Sequence, residues 1–377
     1  MLWLGNRRRE MASQRCGRSQ GVSRDNWRQV AVFVTASQPC LTPTEQLLHE
    51  GILDRNKRTT ANNGVSYKPR TLLPARLGVL AIKASKQQSV RDLLRAAPEN
   101  ELFALASVNP DATLGVRKKA AARELWTNGA GLGDLQARLD AESSRSVLVV
   151  LQALDTGGKD GTIKHAMSGL NPQGARVAIF KAPNPTELSH PFLWRIRRAL
   201  PKPGEIVIFN RSHYEDVLVP MVRRTLPDRV IARRYREINE FERRLLESGT
   251  HTVKLFLHIS YDEQRARLLR RLRDPARRWK FAASDIKERG HWDEYQGAYD
   301  AAITATSTEV APWYVVPANH KWFRNWAVSH ILTEVLGEMQ PKFPKPQLNI
   351  GKLVKQLESD PKSLEAKARR RSAAARA

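Results

Sequence analysis

Five short apolar runs, each followed by sequence of helical character, constrain the fold more than any other feature. Each run is nearly continuous in apolar residues, as is typical of parallel strands that are covered on both faces. Strands that alternate with helices predict a parallel sheet with right-handed crossovers and helices on both sides. The chain is therefore predicted to fold as an α/β three-layer sandwich with a five-stranded parallel sheet. The predicted strands are residues 147–154, 176–181, 205–210, 253–260 and 313–317.

The sequence around these strands divides the chain into further segments. Residues 1–66 scatter arginines among Ser, Gln and Asn without a sustained apolar period, which predicts a disordered extension, with an organelle presequence as the alternative. Residues 67–145 are predicted to be a helical segment, because leucines recur there at spacings of three and four. Residues 146–340 hold the strands. Residues 341–377 form a basic tail, in which the last 36 residues contain ten Lys and Arg against three Asp and Glu.

The charge of the chain predicts an anionic partner. Over 377 residues, 63 Lys and Arg oppose 38 Asp and Glu, a formal net charge of +25. Such a balance favours nucleic acid, an anionic membrane surface or a phosphate-rich substrate. No apolar run reaches the roughly 18 residues of a membrane span, so we expect no membrane-embedded segment. Both cysteines precede residue 41, which leaves the body of the chain without a disulfide framework or a cysteine-built zinc site, and we expect a cytoplasmic protein.

A glycine-rich turn, LDTGGKDGT, follows the first predicted strand at residues 154–162. Gly157, Gly158 and Gly161 allow the backbone N–H groups to converge on one point, and Lys159 adds a cation beside them. The helix that follows adds its positive N-terminal end. The turn therefore predicts a cradle for phosphate, with an ordinary strand-to-helix turn as the alternative.

The turn is close to the Walker A pattern but departs from it at two positions. Ala153 stands in place of the first glycine, and Asp160 stands in place of the Ser or Thr that binds Mg²⁺, although Thr162 lies nearby. Asp155 is a carboxylate beside a phosphate cradle, where it would repel the substrate unless a metal lay between them. Asp155 therefore predicts Mg²⁺ at this site.

The third predicted strand ends in IVIFNRSHYED, at residues 206–216. In a phosphate-loop fold this strand lies beside the first, so its C-terminal end faces the loop. Arg211 is predicted to stabilise charge on a transferred phosphoryl group, and Glu215 and Asp216 are candidate acids. Asn210 occupies the position at the strand end where an acid is usual. We interpret His213 as a hydrogen-bonding or packing residue, because no second ligand lies at metal spacing from it.

The third candidate feature is a basic helical lid over about residues 265–295. Residues 265–289 contain ten Lys and Arg against three acids, whereas a solvated helix face usually mixes both signs. We predict that this lid binds a long polyanion, with a solvated face as the alternative. Trp279 and Phe281 are predicted to pack the lid onto the sheet. The arginines predicted to project on one side and form the polyanion track, together with the neighbouring lysine, are Arg267, Arg270, Arg271, Arg278 and Lys280.

Four long segments together resemble the polyphosphate kinase 2 family, whose members have a thymidylate-kinase-like phosphate-loop core. They are LQALDTGGKDGTIKHAMSGLNPQG, FLWRIRRALPKPGEIVIFNRSHYEDVL, RRLRDPARRWKFAASDIKERGHWDEY and TSTEVAPWYVVPANHKWFRN, and the resemblance covers residues 110–337. It implies that Asp155 and Lys159 organise Mg²⁺ and the transferred phosphoryl group, that Arg211 lines the reaction centre, and that lid arginines thread polyphosphate. The segment FNRSHYEDVL resembles the subgroup that accepts AMP as well as ADP.

Together these observations predict Mg²⁺-dependent, in-line phosphoryl transfer from inorganic polyphosphate to AMP or ADP, without a covalent enzyme intermediate. An ATP-dependent nucleotide kinase and a basic nucleic-acid-binding protein are the alternatives. We expect no membrane partner and no dedicated nucleic-acid partner, and homo-oligomerisation is compatible with the sequence. The predicted catalytic residues are Asp155, Lys159 and Arg211, with Asp155 as the metal ligand. Phosphate or nucleotide binding is predicted for Gly157, Gly158, Gly161, Thr162, Glu215 and Asp216.

Overall fold

A parallel five-stranded sheet forms the centre of the part of the chain that the structure describes. The structure, a computed structural model, describes residues 88–96, 101–359 and 364–376. The strand order is β2-β3-β1-β4-β5, and every neighbouring pair is parallel. The predicted five-stranded parallel sheet is therefore confirmed. The strands are β1 Ser146–Gln152, β2 Ala175–Ile179, β3 Ile206–Asn210, β4 Thr250–His258 and β5 Trp313–Pro317.

Helices connect successive strands, as the alternating sequence pattern predicts. Short 3-10 turns lie at Leu105–Ser107 and Arg278–Lys280. In the part of the chain that the structure describes, no helix combines the length and the apolar character that crossing a bilayer requires. The predictions for residues 1–66 lie outside the described residues. The helices are α1 Val90–Leu94, α2 Lys118–Glu142, α3 Lys159–Ala166, α4 Pro185–Leu188, α5 Trp194–Arg197, α6 Glu215–Arg223, α7 Asp228–Glu247, α8 Tyr261–Arg273, α9 Ser284–Arg289, α10 Trp292–Thr306, α11 Lys321–Met339, α12 Ile350–Glu358 and α13 Leu364–Ala374.

The central strand β1 is buried along its whole length because helices cover both faces of the sheet. Val147 and Val149 belong to one apolar cluster, which includes residues of α2 and α11. Leu148 and Val150 point the other way into a second cluster, which includes residues of α7 and α10. Successive residues of a strand face opposite sides, so this division gives the three layers that the sequence predicts.

Strand β2 departs from the prediction that all five strands are covered on both faces. Its side chains are half-buried or exposed, with Val177 at 42% and Ile179 at 64% exposure. The strand order places β2 at the edge of the sheet, where only β3 pairs with it. Its apolar run therefore reflects an edge strand and not a doubly covered one, and the prediction is wrong for this strand.

Helix α2 continues through a glycine-rich stretch and supports the turn that follows α3. Gly129 and Gly133 lie on the side of α2 that approaches Gly169. A β-carbon built on Gly169 would lie 2.0 Å from the carbonyl oxygen of Gly129, so the two backbones are in direct contact. Glycine carries an entropic cost within a helix, and here the close approach explains its presence.

Candidate active site

The predicted phosphate cradle lies where β1 ends and α3 begins. Gly158 has φ +109°, and the N–H of Gly157 donates to the carbonyl of Leu154 at 2.9 Å, which closes the turn. A β-carbon on Gly157 would lie only 2.5 Å from the β-carbon of Ala153. The methyl group of Ala153, which replaces the usual loop glycine, is therefore accommodated because residue 157 has no side chain.

Lys159, the first residue of α3, reaches back across this turn. Its Nζ donates to the carbonyl oxygen of Ala153 at 2.8 Å. Burial, and then the nearby charge of Arg211, lower the pKa of Lys159 from its ordinary value, while Asp155 and Glu215 act in the opposite direction. A cation held in a desolvated position is poised to gain from an incoming phosphate oxygen.

The end of β3 brings a second set of charged groups to the same place. Residues of β1 and β3 pair in parallel register, so Arg211 directly follows the strand beside the loop. Arg211 has φ +64°, and its Nη2 donates to Oδ1 of Asp155 at 3.3 Å. Both side chains line one cavity together with Glu215. The structure thus brings Asp155, Lys159, Arg211 and Glu215 together.

The cavity combines opposite charges with a partly desolvated wall. Burial raises the pKa of Glu215, and the charges of Arg211 and Lys159 act against that rise. Tyr295 and Tyr299 also line the cavity, and burial followed by the charge of Glu215 raises the pKa of Tyr299 well above its ordinary value. Both phenols therefore stay protonated at neutral pH and can donate hydrogen bonds.

The donor set at this cavity fits a magnesium ion that takes most of its ligands from substrate and water. Within the described residues, no group of three or more His, Cys, Asp and Glu side chains could hold a metal ion by itself. Magnesium in phosphate-transfer sites usually needs only one or two carboxylates, with substrate phosphates and water completing an octahedral shell. Asp155, whose side chain is one third exposed, and Glu215 supply such carboxylates in one cavity.

Two predicted phosphate-binding residues are engaged elsewhere. Oδ2 of Asp216 accepts from Nη2 of Arg195 at 3.1 Å, in an ion pair behind the start of α6. Thr162 is fully buried, and its hydroxyl donates to the carbonyl oxygen of Gly158 at 3.2 Å within α3. The side chains of Asp216 and Thr162 are thus committed within the protein, so this geometry does not favour their predicted roles.

Arg267 was predicted to project with the other lid arginines, and this placement is wrong. Its side chain is buried, and Nη1 donates to the carbonyl oxygens of Thr156 and Gly157 at 3.0 Å each. Nη2 reaches the carbonyl oxygen of Asn319 at 3.1 Å, beyond β5. Arg267 therefore links the back of the phosphate cradle to the loop after β5. The sequence could not show this placement, because the helical period alone does not say which side of α8 meets the sheet.

The other four cations of the predicted polyanion track are exposed or half-buried, and each has a partner within the protein. Lys280 is the one that reaches the cradle, because its Nζ lies 3.2 Å from Oδ2 of Asp160. The Nδ2 of Asn210 donates to Oδ1 of the same carboxylate at 3.2 Å. The other partners are Glu263 Oε1 for Arg270 at 2.7 Å, Asp285 Oδ2 for Arg271 at 3.4 Å and the carbonyl of Leu272 for Arg278 at 2.9 Å.

The two predicted packing residues of the lid, Phe281 and Trp279, differ in how far they are buried. Phe281 is half-buried and lines a cleft of the lid with Leu268 and Leu272. Trp279 is 77% exposed, so the prediction that it packs the lid onto the sheet is wrong. Its ring instead lies beside the Nζ of Lys280, 5.3 Å from the ring centroid.

His213 has the hydrogen-bonding and packing role that its sequence context indicates. The side chain is fully buried, and Nε2 lies 3.4 Å from Oε1 of Glu242. The same carboxylate accepts from the hydroxyl of Tyr214 at 3.0 Å and from Nζ of Lys254 at 2.6 Å. This buried network anchors the segment that carries Arg211.

Arg324, in the first turn of α11, was missed by the sequence analysis. A β-carbon built on Gly158 would lie 1.9 Å from its Nη1, and one on Gly161 would lie 3.0 Å from its Nη2. The guanidinium group therefore lies against the glycines of the cradle. The available signal was an arginine within the mostly apolar segment that follows β5, WFRNWAV.

The geometry agrees with comparisons to known proteins. Residues 115–344 match the family model of polyphosphate kinase 2. The chain belongs to the polyphosphate kinase 2 family. A curated family relative, the "AMP/ADP-polyphosphate phosphotransferase" of Meiothermus ruber, is 51% identical over 262 residues, which are 69% of this chain and 98% of that protein. The "ADP-polyphosphate phosphotransferase" of Rhodopseudomonas palustris is 43% identical over 57% of this chain and 78% of its own length.

Solved structures of the polyphosphate kinase 2 family confirm the predicted phosphate-loop kinase-like fold. The crystal structure of polyphosphate kinase 2 from Arthrobacter aurescens TC1 superposes with a TM-score of 0.69 at 42% identity, and the match covers 72% of this chain and 98% of that one. A putative polyphosphate kinase 2 from Pseudomonas aeruginosa PA01 gives a TM-score of 0.59 at 31% identity, over 63% of this chain and 51% of that chain. The predicted family resemblance and the prediction of a kinase are thus confirmed.

Proposed function

We propose that this protein transfers the terminal phosphoryl group of inorganic polyphosphate to AMP or ADP. The names of the relatives in Meiothermus ruber and Rhodopseudomonas palustris support these acceptors. One structural observation carries the proposal at the level of residues: Asp155, Arg211 and Glu215 meet in one cavity directly beside the glycine-rich loop and Lys159. A phosphate held by the loop would face both a carboxylate pair and an arginine.

The reaction needs positioning and charge stabilisation and no side-chain nucleophile. An oxygen of the acceptor's terminal phosphate attacks the terminal phosphorus of the donor, and the bond from that phosphorus to the bridging oxygen breaks. The nucleotide gains one phosphate, and the shortened polyphosphate keeps the electron pair on its new terminal oxygen. Lys159 and Arg211 are placed to stabilise the charge that develops on the transferred group.

We propose Mg²⁺ as the cofactor, held by Asp155 with Glu215 nearby. When bound, the ion would neutralise phosphate charge and orient the donor end. Glu215 is half-buried beside Arg211 and Lys159, whose charges partly offset the rise in its pKa that burial causes. Tyr295 and Tyr299 also line the cavity and would limit access of water, which is the competing acceptor.

The excess of cations in the lid supports polyphosphate as the donor instead of ATP. The lid carries ten Lys and Arg against three acids over residues 265–289. A triphosphate needs only a few of these cations, whereas a long polyanion extends beyond the loop. The structure places Lys280 of the lid 3.2 Å from Asp160 at the start of α3, so the basic lid lies directly beside the cradle.

The test is a transfer assay with purified protein, Mg²⁺, AMP or ADP, and polyphosphate, in which nucleotides are resolved by chromatography. We expect ADP and ATP to form from AMP, ATP to form from ADP, and a chelator to stop both conversions. A parallel reaction with ATP as the only donor and AMP as acceptor tests the nucleotide-kinase alternative. Phosphorylation of AMP by ATP in the first minutes, without any by polyphosphate, would refute the proposal.

A further inference from the structure

Arg324 is a buried cation that has no acidic partner among the described residues. Arg324 is 2% exposed, and within the described part of the chain its Nε and Nη2 donate to a single acceptor, Oδ1 of Asn325, at 3.1 and 2.7 Å. Burial, and then the charge of Arg267, lower the pKa of Arg324 to about 10. Buried charges are normally paired with an opposite charge, because an unpaired one is costly to desolvate. We therefore expect an anion from outside the described residues to pair with Arg324.

The surroundings of the Arg324 guanidinium group indicate which kind of anion would pair with it. Its Nη1 and Nη2 lie against Gly158 and Gly161, the glycines that line the phosphate cradle. In the described residues, Nη1 donates to no protein acceptor. A guanidinium presents its donors in a planar fork that matches phosphate oxygens. A phosphate group in the cradle would provide this acceptor.

Other cations continue from Arg324 toward the surface. Burial lowers the pKa of Lys321, one turn earlier on α11, and the charges of Arg270, Arg267 and Arg324 lower it further. Lys321 and Arg270 are exposed, and Arg270 shares the single carboxylate of Glu263 with Arg267. Several like charges that repel one another are expected where a polyanion binds between them.

We infer that Arg324 binds the donor phosphate next to the glycine-rich loop, and that Lys321 and Arg270 bind the following phosphates of the chain. The donor then leaves the cradle over the N-terminal end of α11, past Lys321 and Arg270. This inference rests on the proposed polyphosphate transfer, since it names the path of the donor through the same site.

Two variants test the path. Arg324→Met retains an unbranched apolar side chain but removes the guanidinium group. Lys321→Gln removes an exposed charge at the proposed exit. Arg236→Met is the matched control, because Arg236 is exposed on α7, away from the residues that line the cavity. Two quantities are measured for each protein: the KM for polyphosphate and for ADP, and the melting temperature with and without tripolyphosphate. The second measurement reports binding whether or not transfer occurs.

We expect Arg324→Met to raise the KM for polyphosphate about tenfold or more, the effect of one lost charge-assisted hydrogen bond, while the KM for ADP stays within about twofold. Without ligand its melting temperature should equal or exceed that of the wild type, because an unpaired buried charge is gone. The stabilisation by tripolyphosphate should be lost. Lys321→Gln should raise the KM for polyphosphate about threefold and weaken its dependence on salt, since fewer counterions are displaced.

An unchanged KM for polyphosphate and an unchanged tripolyphosphate shift in Arg324→Met would overturn the inference. If Arg324→Met does not fold, Lys321→Gln decides, and wild-type behaviour of that variant would overturn it. A wild-type protein that is stabilised by tripolyphosphate but does not phosphorylate AMP or ADP from polyphosphate would refute the proposed function alone. Normal polyphosphate transfer with no effect in either variant would refute only this path.

Discussion

Replacing the buried Lys254 with Met tests the network that supports the active-site segment. The side chains of Lys254 and Glu242 are both fully buried, and their ion pair measures 2.6 Å. Nζ of Lys254 also donates to the hydroxyl of Tyr214 at 3.0 Å and to the carbonyl oxygen of Thr306 at 2.6 Å. Tyr214 directly precedes Glu215, so the network holds one end of the segment that carries the cavity residues.

The expected loss of unfolding free energy follows from the unpaired carboxylate that the substitution leaves. Met fills much of the volume of Lys254, so a cavity contributes little. The carboxylate of Glu242 stays buried without its cation and, among the described residues, keeps its hydrogen-bond contacts with Tyr214 and His213. Breaking one side of a buried pair costs about 3–5 kcal/mol of unfolding free energy, a large part of the roughly 5–15 kcal/mol typical of a domain.

The deficit should depend on pH in a defined direction. Burial acts to raise the pKa of Glu242, but Lys254 and His213 outweigh it and hold that pKa below the ordinary value of 4.5. In the wild type this carboxylate therefore stabilises the fold above pH 4.5, and the contribution is lost as pH falls through the lower folded pKa. Without Lys254, burial should raise the pKa above 4.5. The deficit of the variant should then be largest at neutral pH and shrink toward pH 4.5.

Urea unfolding at pH 7 and at pH 5, followed by circular dichroism, measures this effect. Lys254→Met combined with Glu242→Gln should recover much of the lost stability, because no charge is then left unpaired. Lys202→Met, at an exposed lysine, is the control and should change the unfolding free energy by less than about 0.5 kcal/mol. A deficit below about 1 kcal/mol in Lys254→Met, or one that does not change with pH, would refute the reasoning.

Three further predictions follow from the site and the sequence. Lys159→Ala and Asp155→Asn should each abolish polyphosphate-dependent transfer and keep the melting temperature within a few degrees of wild type; near-normal turnover in either variant would remove the phosphate-loop mechanism. Changing Arg270 and Arg271 together to Gln should raise the KM for polyphosphate most for long chains and leave the KM for ADP nearly constant, whereas equal effects at all chain lengths would indicate a solvated face. Removing residues 1–66 should leave activity and melting temperature almost unchanged, because that segment lacks a periodic apolar face; a large loss of stability would mean that it packs against the rest of the chain.

Local sequence was sufficient for the sheet and for the phosphate cradle. Continuous apolar runs separated by helical sequence specify buried parallel strands, because burial on both faces leaves no place for alternating polar residues. The positions of Asp155 and Lys159 follow from the turn itself, since both belong to one short segment between a strand and a helix. The approach of Arg211 could also be predicted, because the fold rule places the end of β3 beside β1.

Residues that reach the cradle from distant elements required the tertiary structure. The helical period of α8 puts Arg267 on a face but does not say that this face meets the loop after β5, so a buried structural arginine was interpreted as part of an exposed track. Asp216 lies one residue after Glu215, and only the position of Arg195 shows that it turns away from the cavity. The edge position of β2 likewise depends on strand order, which no single strand specifies.

Arg324 shows most clearly which features local sequence predicts and which require the tertiary structure. Its neighbours in the sequence are, apart from Asn325, apolar residues of a core helix, and nothing local separates it from an ordinary buried arginine with an acidic partner. Its role is indicated by two facts of packing: the N-terminal turn of α11 lies against the glycines of a loop far away in the chain, and no acid among the residues that the structure describes pairs with it. The sequence by itself determined the strands, the cradle and the chemistry at its centre, because each is encoded within a short segment. Only the tertiary structure decided which distant cations face that cradle, because the direction of a side chain from a helix depends on the surface against which the helix packs.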